Sequence, residues 1–450
     1  MKSENTQNKA LETNKTQQTK QTSGFQPFRG ILIVLLGCIL AISVCMTVRS
    51  YRRANGSIIA SSSTGKTTTT RQPTQSTQGT TTKPTQSTQS TSTRPAETET
   101  TTTTTGSEQQ VIDLRFQEYP EPVWLISEAG KAYMQSDVVE NVGDFLRPYF
   151  QSGERNDVGM PVELALAVYS LPDGYSVTDV VFQLSESEDF LDVTEYVPRE
   201  GVHSVAVYGL YTGRQYYCRA FVSLSDGSVQ QINGSFCTAA SPRVLTIDGI
   251  VNVRDIGGWK TTDGKTIRQG LLYRGSELDG AVEPTYKLTE EGIAQMREML
   301  GIRMDMDLRH TGENVLGEDV KHVCYSTIQY SGIFEEKRKE AVRRVFADLS
   351  NPDNYPIYMH CTYGADRTGT ICYLLEALLG VSDADLMRDY ELTGLTFQYV
   401  SASLMNPFVE EMRAYEGEST MEKVENYLLS IGVTEEEIHS IRQIFLEDAT

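Results

Sequence analysis

The chain has 450 residues, enough for two or three domains with sizeable cores. Its formal charge of −20 argues against a nucleic-acid binder, because phosphate contacts along a duplex need clustered Lys and Arg, although one cationic pocket for a small phosphorylated group fits such a surface. The cysteines Cys38, Cys45, Cys218, Cys237, Cys324, Cys361 and Cys372 include no Cys-x-x-Cys pair or Cys/His cluster at zinc spacing, so neither a metal nor a cofactor is expected.

Residues 1–28 are polar and read as a disordered tail. Ile31 to Val48 is uncharged and almost wholly apolar, about the length that crosses a bilayer, so 29–48 is expected to be an uncleaved transmembrane helix. Basic residues nearly balance across it, with Lys15, Lys20 and Arg29 before and Arg49, Arg52 and Arg53 after. Residues 49–108 are dominated by Thr, Ser and Gln with scattered Pro, a composition that forms no core. As a flexible coil such a stalk spans on the order of 40 Å. The expectation is a single-pass membrane protein whose folded part is held outside the cytoplasm.

Residues 109–240 change to short alternating apolar runs divided by turns, which predicts an N-terminal β-sandwich. Val162 to Val168, Val180 to Leu184 and Val205 to Val207 are such runs. Tyr216 to Val222 and Gly234 to Thr238 flank Asp226-Gly227 as a hairpin. Leu210-Tyr211-Thr212-Gly213-Arg214-Gln215-Tyr216 resembles the Leu-x-Pro-Gly-x-x-Tyr run before the penultimate strand of a fibronectin type III domain, departing at the proline. The resemblance makes Tyr216 the buried corner tyrosine and the module a spacer or docking platform for a partner. Cys218 and Cys237 lie about equally far from the turn, which allows either a disulfide across the hairpin or two small buried side chains.

Residues 243–450 are mixed. Thr289 to Leu300 reads as a helix, Ile302 to Leu308 and Pro356 to Met359 as strands, and Thr368 to Leu379, Asp383 to Leu392, Met421 to Ser430 and Thr434 to Leu446 as further helices. Thr434 and Glu437 have capping-box spacing. Strands alternating with helices predict an α/β domain, a central sheet flanked by helices.

The run His360-Cys361-Thr362-Tyr363-Gly364-Ala365-Asp366-Arg367-Thr368 lies between an apolar strand and an apolar helix. A tight loop there turns backbone N–H groups inward and adds the helix dipole, which suits a phosphate. Cys361 at its mouth has the surroundings that lower a thiol pKa and favour the nucleophilic thiolate. Arg367 curls back over the same site and can hold two phosphoryl oxygens. His360 orders the loop, and the Thr368 hydroxyl can steady the departing thiolate. The loop residues Thr362, Tyr363, Gly364 and Ala365 complete the substrate cradle.

His-Cys-x5-Arg-Thr resembles the signature of the cysteine-dependent tyrosine phosphatase superfamily, and Asp366 before the arginine is similar to its atypical bacterial tyrosine and lipid phosphatase branch. Asn252-Val253-Arg254-Asp255-Ile256-Gly257-Gly258, Gly270-Leu271-Leu272-Tyr273-Arg274-Gly275-Ser276 and Asp307-Leu308-Arg309 look like further blocks of that branch. The resemblance implies a phosphocysteine on Cys361, with Asp307 or Asp366 as the general acid. It makes Arg254 and Arg274 either substrate ligands or structural ion pairs. The branch often carries Lys where Ala365 stands here, which favours phosphotyrosine over a polyanionic inositol phosphate. Three readings follow: a phosphatase of phosphotyrosine-type monoesters, a phosphoinositide or inositol phosphate phosphatase, and a catalytically weak adhesion protein.

Overall fold

The computed structural model describes residues 111–137, 142–150, 155–397 and 400–448, all within the unit Ser107–Thr450. The expected tail, transmembrane helix and stalk lie outside the described residues. Among the described residues no helix is long and apolar enough to cross a membrane.

The first part is a β-sandwich. Strands β1 (Asp113–Phe116), β2 (Val162–Ser170) and β5 (Ser204–Val207) form one sheet, in the order β1-β2-β5. Strands β3 (Val177–Ser185), β4 (Thr194–Tyr196), β6 (Gln215–Leu224) and β7 (Val229–Cys237) form the other, in the order β4-β3-β6-β7. In β6 the alternation is strict: Tyr216, Cys218, Ala220, Val222 and Leu224 are buried while their neighbours are half-exposed. The hairpin turns at Gly227, whose φ of 86° a side chain would oppose. The Tyr216 hydroxyl accepts the Tyr211 N–H at 3.0 Å, the bond expected of a corner tyrosine.

The disulfide is not formed. Cys218 pairs with Gly234 and Cys237 with Gln215, so the two cysteines are three positions out of register and on opposite faces. Cys218 is buried, Cys237 is exposed, and both are free.

The segment between β1 and β2 departs from the all-β expectation. It carries helices α1 (Glu128–Met134) and α2 (Val142–Leu146), whose Ala129, Tyr133, Val142 and Leu146 belong to the core of the second part. The Tyr133 hydroxyl donates to Glu391 at 2.5 Å, and Arg388 donates to the Ser136 carbonyl at 2.6 Å. The core of the second part is therefore completed by chain that precedes most of the sandwich.

That core surrounds a five-stranded sheet. Its strands are β8 (Arg254–Asp255), β10 (Leu272–Gly275), β11 (Met304–Asp307), β12 (Lys321–Cys324) and β13 (Ile357–His360), in the order β12-β11-β13-β10-β8. The last four are parallel to one another, and β8 is antiparallel to β10. A two-residue strand β9 (Thr266–Ile267) pairs with β14 (Leu446–Glu447) at the chain end. In β11, Met304 and Met306 enter the main apolar cluster, and the period of two sends Asp305 and Asp307 to the other face.

The helices are α3 (Glu290–Ala294), α4 (Glu336–Leu349), α5 (Asp366–Leu378), α6 (Asp383–Glu391), α7 (Ala402–Met412), α8 (Thr420–Ser430) and α9 (Glu435–Phe445). Thr289 caps α3 as its Oγ accepts the Gly292 N–H, and α3 runs on into a π turn over Gln295–Met299. The Thr434/Glu437 capping box opens α9 as expected. Helix α5 is buried on every side from Thr368 to Leu378, which explains its unbroken apolar run. It follows β13, the middle strand, and the signature loop joins the two.

Candidate active site

The loop Cys361–Ala365 leaves the C-terminal end of β13 and closes at the first turn of α5, so Asp366 and Arg367 are helical. Its shape is set by where its carbonyls point. The Cys361 carbonyl faces His360 Nδ1 at 3.0 Å, and the Thr362 carbonyl accepts the Glu277 N–H at 3.0 Å. The Tyr363 carbonyl accepts Asn252 Nδ2 at 3.1 Å, and the Gly364 carbonyl accepts Arg274 Nη2 at 2.9 Å. The Ala365 carbonyl accepts the Gly369 N–H at 2.8 Å as α5 begins. With the carbonyls held outward, backbone N–H groups can face the enclosed side; those of Tyr363 and Thr368 point at Cys361.

Gly364 is required by two constraints. Its φ is 67°, and a Cβ there would stand 2.3 Å from the Gly275 carbonyl oxygen on β10. The loop therefore lies directly on the sheet.

Cys361 is 3% exposed. Burial alone would raise its thiol, but the Arg367 guanidinium, the Thr368 hydroxyl and the two N–H groups outweigh it and hold the thiol below its ordinary value. Arg367 is half-buried and steadied by Thr362 Oγ1 at 3.3 Å from Nη2. The arrangement sets a thiol of lowered pKa beside a guanidinium, which suits a group with several acceptor oxygens.

His360 is buried between two acceptors. Its Nε2 lies 2.9 Å from Asp305 Oδ1, and its Nδ1 faces the Cys361 carbonyl. Burial would lower its pKa, but the Asp305 carboxylate overrides that and raises it to about 9. It is an imidazolium that braces the loop.

Arg254 and Arg274, which the sequence leaves between substrate contact and ion pair, are in the interior at 2% and 0% exposure. Both meet Asp389 of α6: Arg254 Nε at 3.1 Å and Arg274 Nη1 at 2.5 Å. Arg254 also donates to Asn252 Oδ1 at 2.7 Å, and Asn252 in turn holds the Tyr363 carbonyl. Both arginines act on the loop backbone from below. Asp389 was not singled out in the sequence, because it lies more than a hundred residues from either arginine and nothing local marks it.

The two candidate acids differ. Asp307 is fully buried, and both its oxygens accept from Arg309 Nε at 3.0 and 2.9 Å; Arg309 also pairs with Asp279 and Glu277. Asp366 is half-buried at the rim of the loop, where its Oδ1 accepts the Tyr330 hydroxyl. Tyr363 of the loop forms an aromatic edge with Tyr286 and Phe397, with ring centroids 5.5 Å apart for Tyr363 and Phe397 and 5.9 Å for Tyr286 and Tyr363. Ala365 is buried, so it presents nothing to a ligand.

Two outcomes follow from these contacts. Asp389→Ala leaves two buried guanidiniums without their carboxylate and should cost about 3–5 kcal/mol, read as a lower thermal midpoint. His360 is raised in the folded state from 6.5 to about 9, so its contribution is fully present below about pH 6.5 and is lost as pH rises through about 9. Melting curves across that window should slope downward for the native chain, and the slope should flatten in His360→Gln.

Residues 245–447 match the model of the tyrosine phosphatase family. A Cupriavidus necator protein bearing a provisional tyrosine-protein phosphatase name is 26% identical over 177 residues, 32% of this chain and 61% of the relative, so the chain spans less than two thirds of that relative. Solved structures of the core catalytic domain of the PP-IP phosphatase SIW14 from S. cerevisiae in complex with citrate, and of the Siw14 catalytic core, are 16% and 18% identical. They cover 32% and 35% of this chain and 88% of each solved chain, at TM-scores of 0.22 and 0.24. The family match and the relative make residues 245–447 similar to cysteine-dependent tyrosine phosphatases.

Proposed function

We propose that this chain hydrolyses phosphotyrosine-type phosphomonoesters through a phosphocysteine on Cys361. The observation that carries the reading is the buried Cys361, held below its ordinary pKa beneath Arg367 in a loop whose carbonyls are all turned away. Cys361 Sγ attacks phosphorus while the bond to the leaving oxygen breaks. Arg367 holds two of the phosphoryl oxygens and the loop N–H groups take the charge that develops. Asp366 gives its proton to the leaving oxygen, then as a carboxylate takes one from the water that attacks the phosphocysteine. The Thr368 hydroxyl stabilises the thiolate released in that second step. Asp307 is set aside as the acid, since its fully buried carboxylate is paired with Arg309, whereas Asp366 is half-buried at the loop.

The aromatic edge of Tyr286, Tyr363 and Phe397 favours a flat ring on the substrate, and the buried Ala365 supplies no extra cation for a polyanion. The membrane anchor at 29–48 and a catalytic domain outside the cytoplasm rest on the sequence and belong to this proposal. So does a fibronectin type III-like module at 109–240 that docks a partner, supported by its two antiparallel sheets and the Tyr216 corner.

The test is phosphate release by the full chain from phosphotyrosine peptides, phosphoserine peptides and inositol phosphates. Turnover should be confined to phosphotyrosine peptides and fall by roughly 10⁴-fold or more in Cys361→Ser. Asp366→Asn should lose about 10²–10⁴-fold on phosphotyrosine and less on aryl phosphates whose leaving group needs no proton. Faster turnover of inositol phosphates would replace the substrate class, and no turnover under reducing conditions would favour an adhesion protein.

A further inference from the structure

Beside the loop, on the same face of the sheet as His360, lies a set of side chains that the proposed reaction does not use. Strands β11 and β12 run parallel in a register that pairs Asp305 with His322 and Asp307 with Cys324. The period of two then brings all four side chains to one face. Atoms of Asp307, His322 and Cys324 that can ligate a metal lie within 4.8 Å of one another. His322 Nε2 is 3.5 Å from Cys324 Sγ, and that sulfur is 3.9 Å from Asp307 Oδ2.

Zinc bonds of about 2.0–2.3 Å at tetrahedral angles place neighbouring ligand atoms roughly 3.3–3.6 Å apart, so the His322–Cys324 distance already matches that edge length and the Cys324–Asp307 distance is about 0.3 Å longer. The orientation of His322 agrees. Its Nδ1 is held by Asp305 Oδ2 at 2.9 Å, which leaves Nε2 turned toward Cys324. A carboxylate on the far nitrogen is what fixes a ligating imidazole in metal sites. Access is also present: β12 is the edge strand of its sheet, and His322 and Cys324 are half-buried rather than sealed. Both Asp307 oxygens already accept from Arg309, through its backbone N–H, Nε and Nη2, so a metal at Oδ2 would displace an Arg309 N–H.

We propose that Asp307, His322 and Cys324 form a zinc-binding site, with a water or an outside ligand in the fourth position. Thiolate and imidazole donors select zinc over calcium or magnesium. Binding replaces the Cys324 S–H bond with a sulfur–zinc bond, and the proton goes to solvent. The site is separate from Cys361 but linked to it, because Asp305 holds both His322 and His360. Nothing at the level of sequence spacing shows this set, since its members come from two strands and meet only through their register.

The test uses the full chain carrying Cys361→Ser, so that the catalytic thiolate cannot compete, with cobalt(II) as a spectroscopic stand-in for zinc. One equivalent should give a thiolate-to-cobalt charge-transfer band together with intense tetrahedral visible bands, both erased by added zinc. Adding Cys324→Ser should abolish the charge-transfer band, and His322→Gln should weaken binding by at least about tenfold. Circular dichroism and melting of each variant without metal show that the fold is kept; if Cys324→Ser does not fold, His322→Gln decides. Absence of a charge-transfer band in the starting protein would overturn the site. So would a band that survives Cys324→Ser, or binding unaffected by His322→Gln.

Discussion

The active loop depends on the outward anchoring of its carbonyls. A peptide that turns its carbonyl to one side offers its N–H to the other, so a curled loop binds an anion only if each carbonyl has a partner outside the curl. Here those partners come from separate places: the ring of His360, the backbone of Glu277, the amide of Asn252, the guanidinium of Arg274 and the first turn of α5. Gly364 permits the bend and the near contact with β10. The N–H groups are thus preorganised before any phosphate arrives, which is where electrostatic catalysis gains most of its effect.

Charge is arranged beneath the loop in the same spirit. Two guanidiniums, Arg254 and Arg274, share one carboxylate, Asp389, which burial would raise but the arginines hold down. Glu376, buried nearby, is pushed well above its ordinary value by burial and by Asp389. Burial would raise the Cys361 thiol, but the Arg367 guanidinium, the Thr368 hydroxyl and the loop N–H groups outweigh it on a protein whose overall charge is −20.

Much of this was legible in the sequence because local pattern and function coincide there. The strand, the loop with its Cys361, Gly364 and Arg367, and the apolar helix after it form one contiguous signature, and the structure places them as expected. The capping box at Thr434 and the corner at Tyr216 are likewise local, and both were readable. What escaped was long-range. Asp389 reaches Arg254 and Arg274 only through the packing of α6, and α1 and α2 join the catalytic core across the sandwich sequence. Register is equally hidden: being three positions out separates Cys218 from Cys237, and correct register brings His322 and Cys324 against Asp305 and Asp307. Asp307 carried a motif that suggested an acid, yet its burial against Arg309 could not be seen from the motif.

The sandwich and the catalytic part are also bound along one seam. Gln269 exchanges hydrogen bonds with the backbone of Thr212 at 2.9–3.0 Å, Arg214 pairs with Glu447 at 2.5 Å, and Arg243 pairs with Asp255 at 3.2 Å. These contacts fix the sandwich against the sheet that carries the loop. The central claim, however, is that Cys361 becomes the covalent carrier of the phosphoryl group. The most direct measurement is rapid acid quenching of the full chain during turnover of an aryl phosphate, followed by mass spectrometry of its peptides. A phosphoryl group on the peptide that holds Cys361, absent in Cys361→Ser, is the predicted result. Turnover with no such adduct, or with the phosphoryl group on His360 instead, would contradict it.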